Sequence, residues 1–287
     1  MPPLRALLIE AVRRLFTDEA IPLAGNIAFR ILFSVFPFLI FLTALAGFFG
    51  SDDLAARIVN YLLSVAPKEL VAPIAPEIQS ILTRPRTGLL SVSAILTIWS
   101  AMGGVDSVRV ALNRAYGLTE DRNVFLLYAM MALFVVGSAI LLLALAVLIV
   151  FGPVVVNFIS VYAPGFDDLL ATFNRYRYPA AILILVIGLL LAHLILPARR
   201  VKVTYLFPGV VLTVLVWIVL STVYSYYLSH FATFASTYAG LSGLFGAMFL
   251  LYLSALALIL GGELNRVIVV RRKWRRDAGE TADLSKE

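Results

Sequence analysis

The sequence holds no cysteine. That removes disulfides, thiol nucleophiles and thiolate-ligated metals from the chemistry this chain could use. Histidine is nearly absent as well: His193 and His230 are the two present, too few for a histidine-built metal centre. Charge is scarce, with Asp, Glu, Lys and Arg making up 14% of 287 residues, where soluble domains carry about 25%. No GxSxG elbow, HExxH pair or Walker A glycine loop occurs, and the acidic residues do not gather into a metal cluster. These absences argue against an enzyme, and neither a cofactor nor a metal is expected. Without a nucleotide site, any transport has to be passive, ion-coupled or driven by a partner.

What fills the sequence instead is apolar side chain, 61% of the residues. That is more than one soluble core of this length accounts for. The excess is organised in six runs long enough for spanning helices, which need about 20 residues each: 23–49, 88–112, 124–151, 179–197, 206–229 and 242–269. The fold expected is therefore all-α, a polytopic membrane protein with six transmembrane helices and short amphipathic interfacial helices. Residues 1–22 form an amphipathic N-terminal segment, with Leu4, Leu7, Leu8, Val12 and Leu15 on one face. It suits either the membrane surface or the end of the bundle, and lacks the pattern of a signal peptide. Residues 23–270 are the membrane domain, and 50–87, broken by Pro67, Pro73 and Pro76, are read as external interfacial helices. A basic then polar tail, 271–287, follows and is expected to be unstructured beyond Asp277.

The net charge of +6 could point to nucleic acid in a soluble protein. Here the basic residues flank the spans, so topology accounts for them and no nucleic-acid partner is expected. Arg5, Arg13 and Arg14, then Arg114 and Arg122, then Arg199, Arg200 and Lys202, then Arg271 to Arg276 all fall on one side of a six-span chain. Both termini are thus expected in the cytoplasm.

Ionisable groups inside spans are the strongest pointers to function in such a chain. Arg30, Asp106, Glu263 and His193 each lie about 4 to 7 residues, or about 6 to 10 Å, inside the cytoplasmic ends of their spans. Matched depth suggests pairing Arg30 with Asp106 or Glu263. The local pairs Asp106 with Arg109 and Glu263 with Arg266 compete. Polar or small side chains recur in stripes: Asn26, Arg30, Ser34 and Pro37 on the first span; Trp99, Gly103, Asp106, Val110 and Asn113 on the second; Thr213, Trp217, Ser221 and Tyr224 on the fifth; Gly262, Glu263 and Arg266 on the sixth. Such stripes face protein or a water-filled cavity. They either line a site for a polar headgroup or ion, or act as interhelical glue. Gly240, Gly243 and Gly246 suit close helix packing, and Tyr224, Tyr226, Tyr227 and Tyr238 an aromatic belt.

Three stretches carry a family resemblance: "AGNIAFRILFSVFPFLIFLTALAGFFG" in the first span, "WSAMGGVDSVRVALNRAYG" at 99–117, and 196–268 with "TYAGLSG" and "LGGELN". Together they resemble the YihY/BrkB family, over most of the chain. The resemblance implies a six-span protein of the bacterial inner membrane. Relatives have been linked to serum resistance, to export of lipid A precursors or phospholipids, and, by an older label, to ribonuclease BN, which nothing in these residues supports. It carries over Pro37, Trp99, Tyr238, Gly240, Gly262, Glu263 and Asn265, whereas Arg30 departs from the family pattern. The function expected is transport or flipping of membrane phospholipids or other envelope lipids, with envelope-assembly proteins as further partners. The alternatives are an ion-coupled solute transporter working through Asp106, Glu263 or His193, and a non-transporting envelope scaffold.

Overall fold

The computed structural model describes residues 4–48, 87–152, 156, 165, 167–199, 201–231 and 239–284. Every regular element among them is helical. In chain order these are α1 (Leu4–Thr17), α2 (Ala20–Phe48), α3 (Thr87–Tyr116), α4 (Val124–Ala146), α5 (Asp167–Ile195), α6 (Val203–Phe231) and α7 (Ala239–Leu284). A wider turn, Val147–Phe151, continues α4. Six of them, α2 to α7, are long and apolar enough to cross a membrane, so the chain is a multi-pass membrane protein.

The expected spans coincide with these helices, and the ends differ for identifiable reasons. Helix α5 starts at Asp167, well before the expected 179. Asp167 and Asp168 sit where a helix N-terminus favours negative charge, and Pro179 is accommodated inside the helix rather than ending the pattern. Helix α7 runs on through the basic stretch to Leu284, where an unstructured tail was expected. Its residues beyond Asn265 are mostly good helix formers, and extending an existing helix avoids the cost of nucleation. The interfacial helices expected in 50–87 lie outside the described residues, apart from Thr87, which opens α3.

Turns explain two of the boundaries. Helix α3 ends in a Schellman arrangement: Gly117 N–H donates to Arg114 O at 2.9 Å and Leu118 N–H to Asn113 O at 2.8 Å. Gly117 has φ +65°, a conformation that suits glycine. Helices α1 and α2 are separated by Glu19 in the left-handed region, φ 58°. That residue turns the chain immediately after Asp18.

The described residues fall into two compact units. One comprises 1–18, 112–214 and 260–287; the other 19–111 and 215–259. In the first, Ala11 and Leu15 of α1 are buried with Leu112, Leu196, Leu206, Val210, Leu264 and Val267. Helix α1 buries Ala11 and Leu15, while Val12, assigned to the apolar face by the sequence pattern, is exposed beside Ile9 and Phe16. Glu10 accepts from Arg271 Nε at 3.0 Å, which ties α1 to α7. Helices α6 and α7 meet backbone to backbone: a Cβ on Gly209 would collide with the Gly261 carbonyl oxygen, and one on Gly261 with Thr213 Oγ1 and the Gly209 carbonyl. In the second unit Ala20, Ala24, Ile27 and Ala28 of α2 are buried with Ser107 and Ala111 of α3. Small residues again set the approach. Helix α4 differs from the rest: Met131 is its buried residue and most of its large apolar side chains are exposed, as suits a helix solvated by lipid.

Candidate functional site

In the first unit a polar chain runs through the apolar packing. Pro208 has no N–H and its ring disturbs the preceding turn of α6. Next to it, Gly209 N–H donates to Asn265 Oδ1 at 2.8 Å. That contact fixes the amide, so Asn265 Nδ2 donates to Tyr116 Oη at 3.2 Å. Tyr116 Oη then has its own hydrogen free for His193 Nδ1, at 2.9 Å. A neutral His193 therefore carries its proton on Nε2. His193 and Asn265 are fully buried and Tyr116 nearly so. His193 Nε2 meets no hydrogen-bond partner among the described residues.

Glu263 lies alongside, one helical step from Gly262. A Cβ at Gly262 would stand 3.2 Å from Ala115 Cβ, a tight approach to α3, and 3.8 Å from His193 Cε1, an ordinary contact with α5. Glu263 is 0% exposed, and neither carboxylate oxygen has a hydrogen-bond partner among the described residues. The charged groups that act on it are Asp18, Arg266 and Arg14. The expected i,i+3 pair with Arg266 gives way to a longer-range one. Arg266 Nη1 bridges Asp18 Oδ2 at 3.0 Å and reaches Ala115 O at 3.4 Å. It lies across Gly117, where a Cβ would stand 2.6 Å from Arg266 Nη2. Arg14 adds a second contact to Asp18 at 4.0 Å.

Asn113 holds the connections together. Its Oδ1 accepts from Ala198 N–H at 2.7 Å and its Nδ2 donates to Glu120 Oε2 at 3.2 Å. Glu120 in turn receives Arg122 through Nε and Nη2, both at 2.7 Å. Arg122 Nη2 also donates to Leu196 O at 2.7 Å, at the end of α5, where a cation is favoured. The Glu120 hydrogen bonds hold the Arg122 pKa above its usual value, so this clamp stays charged.

The second unit holds the other expected residues. Arg30 does not pair with Asp106. Asp106 Oδ1 receives Arg109 Nε at 2.9 Å and Nη2 at 2.8 Å, the local i,i+3 pair. Arg30 Nη1 instead donates to Gly103 O at 3.3 Å. Asn26 Nδ2 donates to Ser107 Oγ at 3.2 Å, and both Asn26 and Arg30 are exposed. Ser34 bonds back to Ile31 O at 2.7 Å. Pro37, half-buried inside α2, leaves the Phe33 carbonyl without its usual intrahelical donor. Trp99 is exposed. Trp217 Nε1 donates to Ser254 O at 2.9 Å, a helix-to-helix contact. Ser221 is exposed, and Tyr224 packs on Gly246, where a Cβ would stand 2.9 Å from its Oη. Gly240 is the second residue of α7, and Tyr238 lies outside the described residues.

The expected site residues fall in both units. Asn113, His193, Gly262, Glu263, Asn265 and Arg266 belong to the first unit; Asn26, Arg30, Ser34, Pro37, Trp99, Asp106, Arg109, Trp217, Ser221 and Tyr224 belong to the second. Sequence reasoning passed over Tyr116, Asp18, Gly209 and Gly261. A tyrosine before a glycine at a span end and an aspartate in a helix break look like termini. The Pro208–Gly209 pair was the available signal for the third. Among the described residues no three His, Asp or Glu side chains are placed to hold a metal ion.

The family described as virulence factor BrkB matches residues 11–285. The chain belongs to the BrkB family. The resemblance carried by the first span, the tryptophan-led second and "LGGELN" is thereby shown. The BrkB chain is also 29% identical over 271 residues to ribonuclease-like protein YfkH of Bacillus subtilis (strain 168), covering 93% of this chain and 97% of that one. No solved structure matches it. Of the positions the BrkB resemblance carries over, Gly262, Glu263 and Asn265 belong to the buried network, and Pro37 and Trp99 to the second unit.

Proposed function

We propose that this BrkB-family protein moves phospholipids or other envelope lipids across or out of the bacterial inner membrane, with both termini in the cytoplasm. The observation that carries the reading is the seam on α2 and α3. Exposed polar groups, Asn26 and Arg30, stand among exposed Phe29, Phe33 and Trp99. A polar patch set in an exposed aromatic surface, on helices long enough to span, suits an amphiphile: head on the polar groups, chains on the rings. Binding of a small hydrophilic solute would favour a site shielded from lipid.

The test is reconstitution. Purified protein in liposomes should accelerate translocation of a labelled phospholipid, or its transfer to acceptor vesicles. No acceleration with any phospholipid would end this reading and leave a scaffold for envelope-assembly proteins.

A second reading, ion-coupled solute transport, is favoured by one observation: the buried Glu263, with Asp18, Arg266 and Arg14 as the charged groups that act on it among the described residues. Solute uptake that depends on a proton gradient and disappears in Glu263→Gln, with lipid movement absent, would select it. The ribonuclease-like part of the relative's name is not carried over. Phosphodiester hydrolysis needs metal ligands or acid–base groups open to solvent, whereas Glu263 and His193 are sealed in packing.

A further inference from the structure

We propose that Arg30, with Asn26 on the same face of α2, is a recognition site for the phosphodiester of a membrane lipid. The proposal rests on the lipid-handling reading above and names the part of the lipid that is recognised.

The position is costly without a ligand. Arg30 is the eleventh of the 29 residues of α2, Ala20–Phe48, about 15 Å along the helix from Ala20 at 1.5 Å per residue. A guanidinium at such a depth costs roughly 3 kcal/mol on insertion scales unless it is compensated.

The protein compensates it only in part. Arginine has five N–H donors. Among the described residues one acceptor meets them, Gly103 O at 3.3 Å, and that oxygen already accepts from Ser107 Oγ at 3.0 Å. Asp106, one of the two carboxylates that matched depth offers Arg30, is engaged by two nitrogens of Arg109. The remaining donors of Arg30 lie on its exposed side.

The backbone is shaped to hold the group there. A Cβ on Gly103 would stand 3.1 Å from Arg30 Nη1 and 3.8 Å from Cδ. The side chain therefore rests on bare helix, and a Cβ at 103 would ask it to shift by a few tenths of an ångström. The guanidinium is held in place while its charge is left open.

The chemistry that completes it is an anion with paired oxygens, which a planar guanidinium binds in a fork. An anion reaching Arg30 inside the span from the exposed side has to bring its own apolar body. A phospholipid does so, and Phe29 and Phe33, stacked with centroids 6.0 Å apart, flank Arg30 with exposed rings on which chains can lie. Asn26, one turn before Arg30 and exposed like it, adds an amide for a headgroup hydroxyl.

Native mass spectrometry of the full chain, delipidated and then offered one probe at a time, tests this. The probes are phosphatidylglycerol, diacylglycerol of the same chains, and inorganic phosphate. Wild type should retain phosphatidylglycerol and not diacylglycerol. Arg30→Gln should weaken retention about tenfold, the scale of one lost charge-assisted bond. Arg30→Lys should retain part of it, and Gly103→Leu should mimic the loss with the charge intact. Equal retention by wild type and Arg30→Gln, with Arg30→Gln melting as wild type does, overturns the proposal. So does equal retention of diacylglycerol, which would make the site apolar, or displacement of the lipid by millimolar inorganic phosphate, which would make the ligand a free anion. Retention through Arg30 without translocation in liposomes would leave this site standing and remove the transport reading. Translocation that is indifferent to Arg30 would do the reverse.

Discussion

At the residue scale the buried chain from Gly209 through Asn265 and Tyr116 to His193 shows how the spans are keyed together. Tyr116 is the joint, since its hydroxyl accepts from Asn265 Nδ2 and donates to His193 Nδ1. Tyr116→Phe keeps the ring and deletes the hydroxyl, leaving a buried amide and a buried imidazole each short of a partner. The expected cost is about 1–3 kcal/mol, read as a lower melting temperature in detergent. Tyr128→Phe, at an exposed ring, should change stability by no more than about 0.5 kcal/mol. Equal melting of the two variants would mean the chain of bonds is not formed.

The residues of this network were partly legible in advance. His193, Glu263, Asn265 and Arg266 stand out because their types are costly in apolar runs. Their partners were not legible, because a sequence fixes the depth of a group in its own helix but not which neighbour it meets. Depth matching favoured Arg30 with Asp106, yet Arg109 takes that carboxylate. A pair three residues apart on one helix forms without requiring two helices to be aligned. Glu263 fails its own local option for the opposite reason: Arg266 finds Asp18 at the α1–α2 break.

At the element scale, helix existence followed from apolar length, while helix ends and contacts depended on tertiary structure. The crossing of α6 and α7 is the clearest case. Glycines 240, 243 and 246 attract attention by their spacing, but it is Gly209 and Gly261 that bring two backbones together. The same crossing places Asn265 against Gly209 N–H, so close approach and the polar network depend on each other. Gly209→Ala and Gly261→Ala should each destabilise by about 1–3 kcal/mol or more, the cost of overpacking without room to relax. Gly137→Ala, where a Cβ would meet nothing within 4 Å, is the matched control and should be neutral or slightly stabilising, since alanine is the better helix former. Melting temperatures of the three variants decide it. A Gly209→Ala protein as stable as Gly137→Ala would show that the two helices do not touch.

At the scale of the whole molecule, the count of six spanning helices constrains topology without reference to packing. An even number of crossings returns the chain to the side on which it began, so the basic flanks at Arg5 and Arg13, Arg114 and Arg122, Arg199 and Lys202, and Arg271 share one side. The flank at α5 that holds Asp167 and Asp168 with Arg175 and Arg177 takes the other. Loops rich in Lys and Arg stay in the cytoplasm, and the direction proposed above follows from that rule. The absence of cysteine makes the test direct, because a single introduced thiol is the only one to label. Thr119→Cys and Lys202→Cys should resist an impermeant maleimide added to intact cells and react once the cells are opened, whereas Asp168→Cys should react in both. The same side for 119 and 202 follows from the two crossings between them, and the opposite side for 168 from the single crossing of α4. Reaction of Lys202→Cys in intact cells would invert the topology. A difference in side between 119 and 202 would mean that α4 or α5 does not cross, which would undo the six-span fold itself.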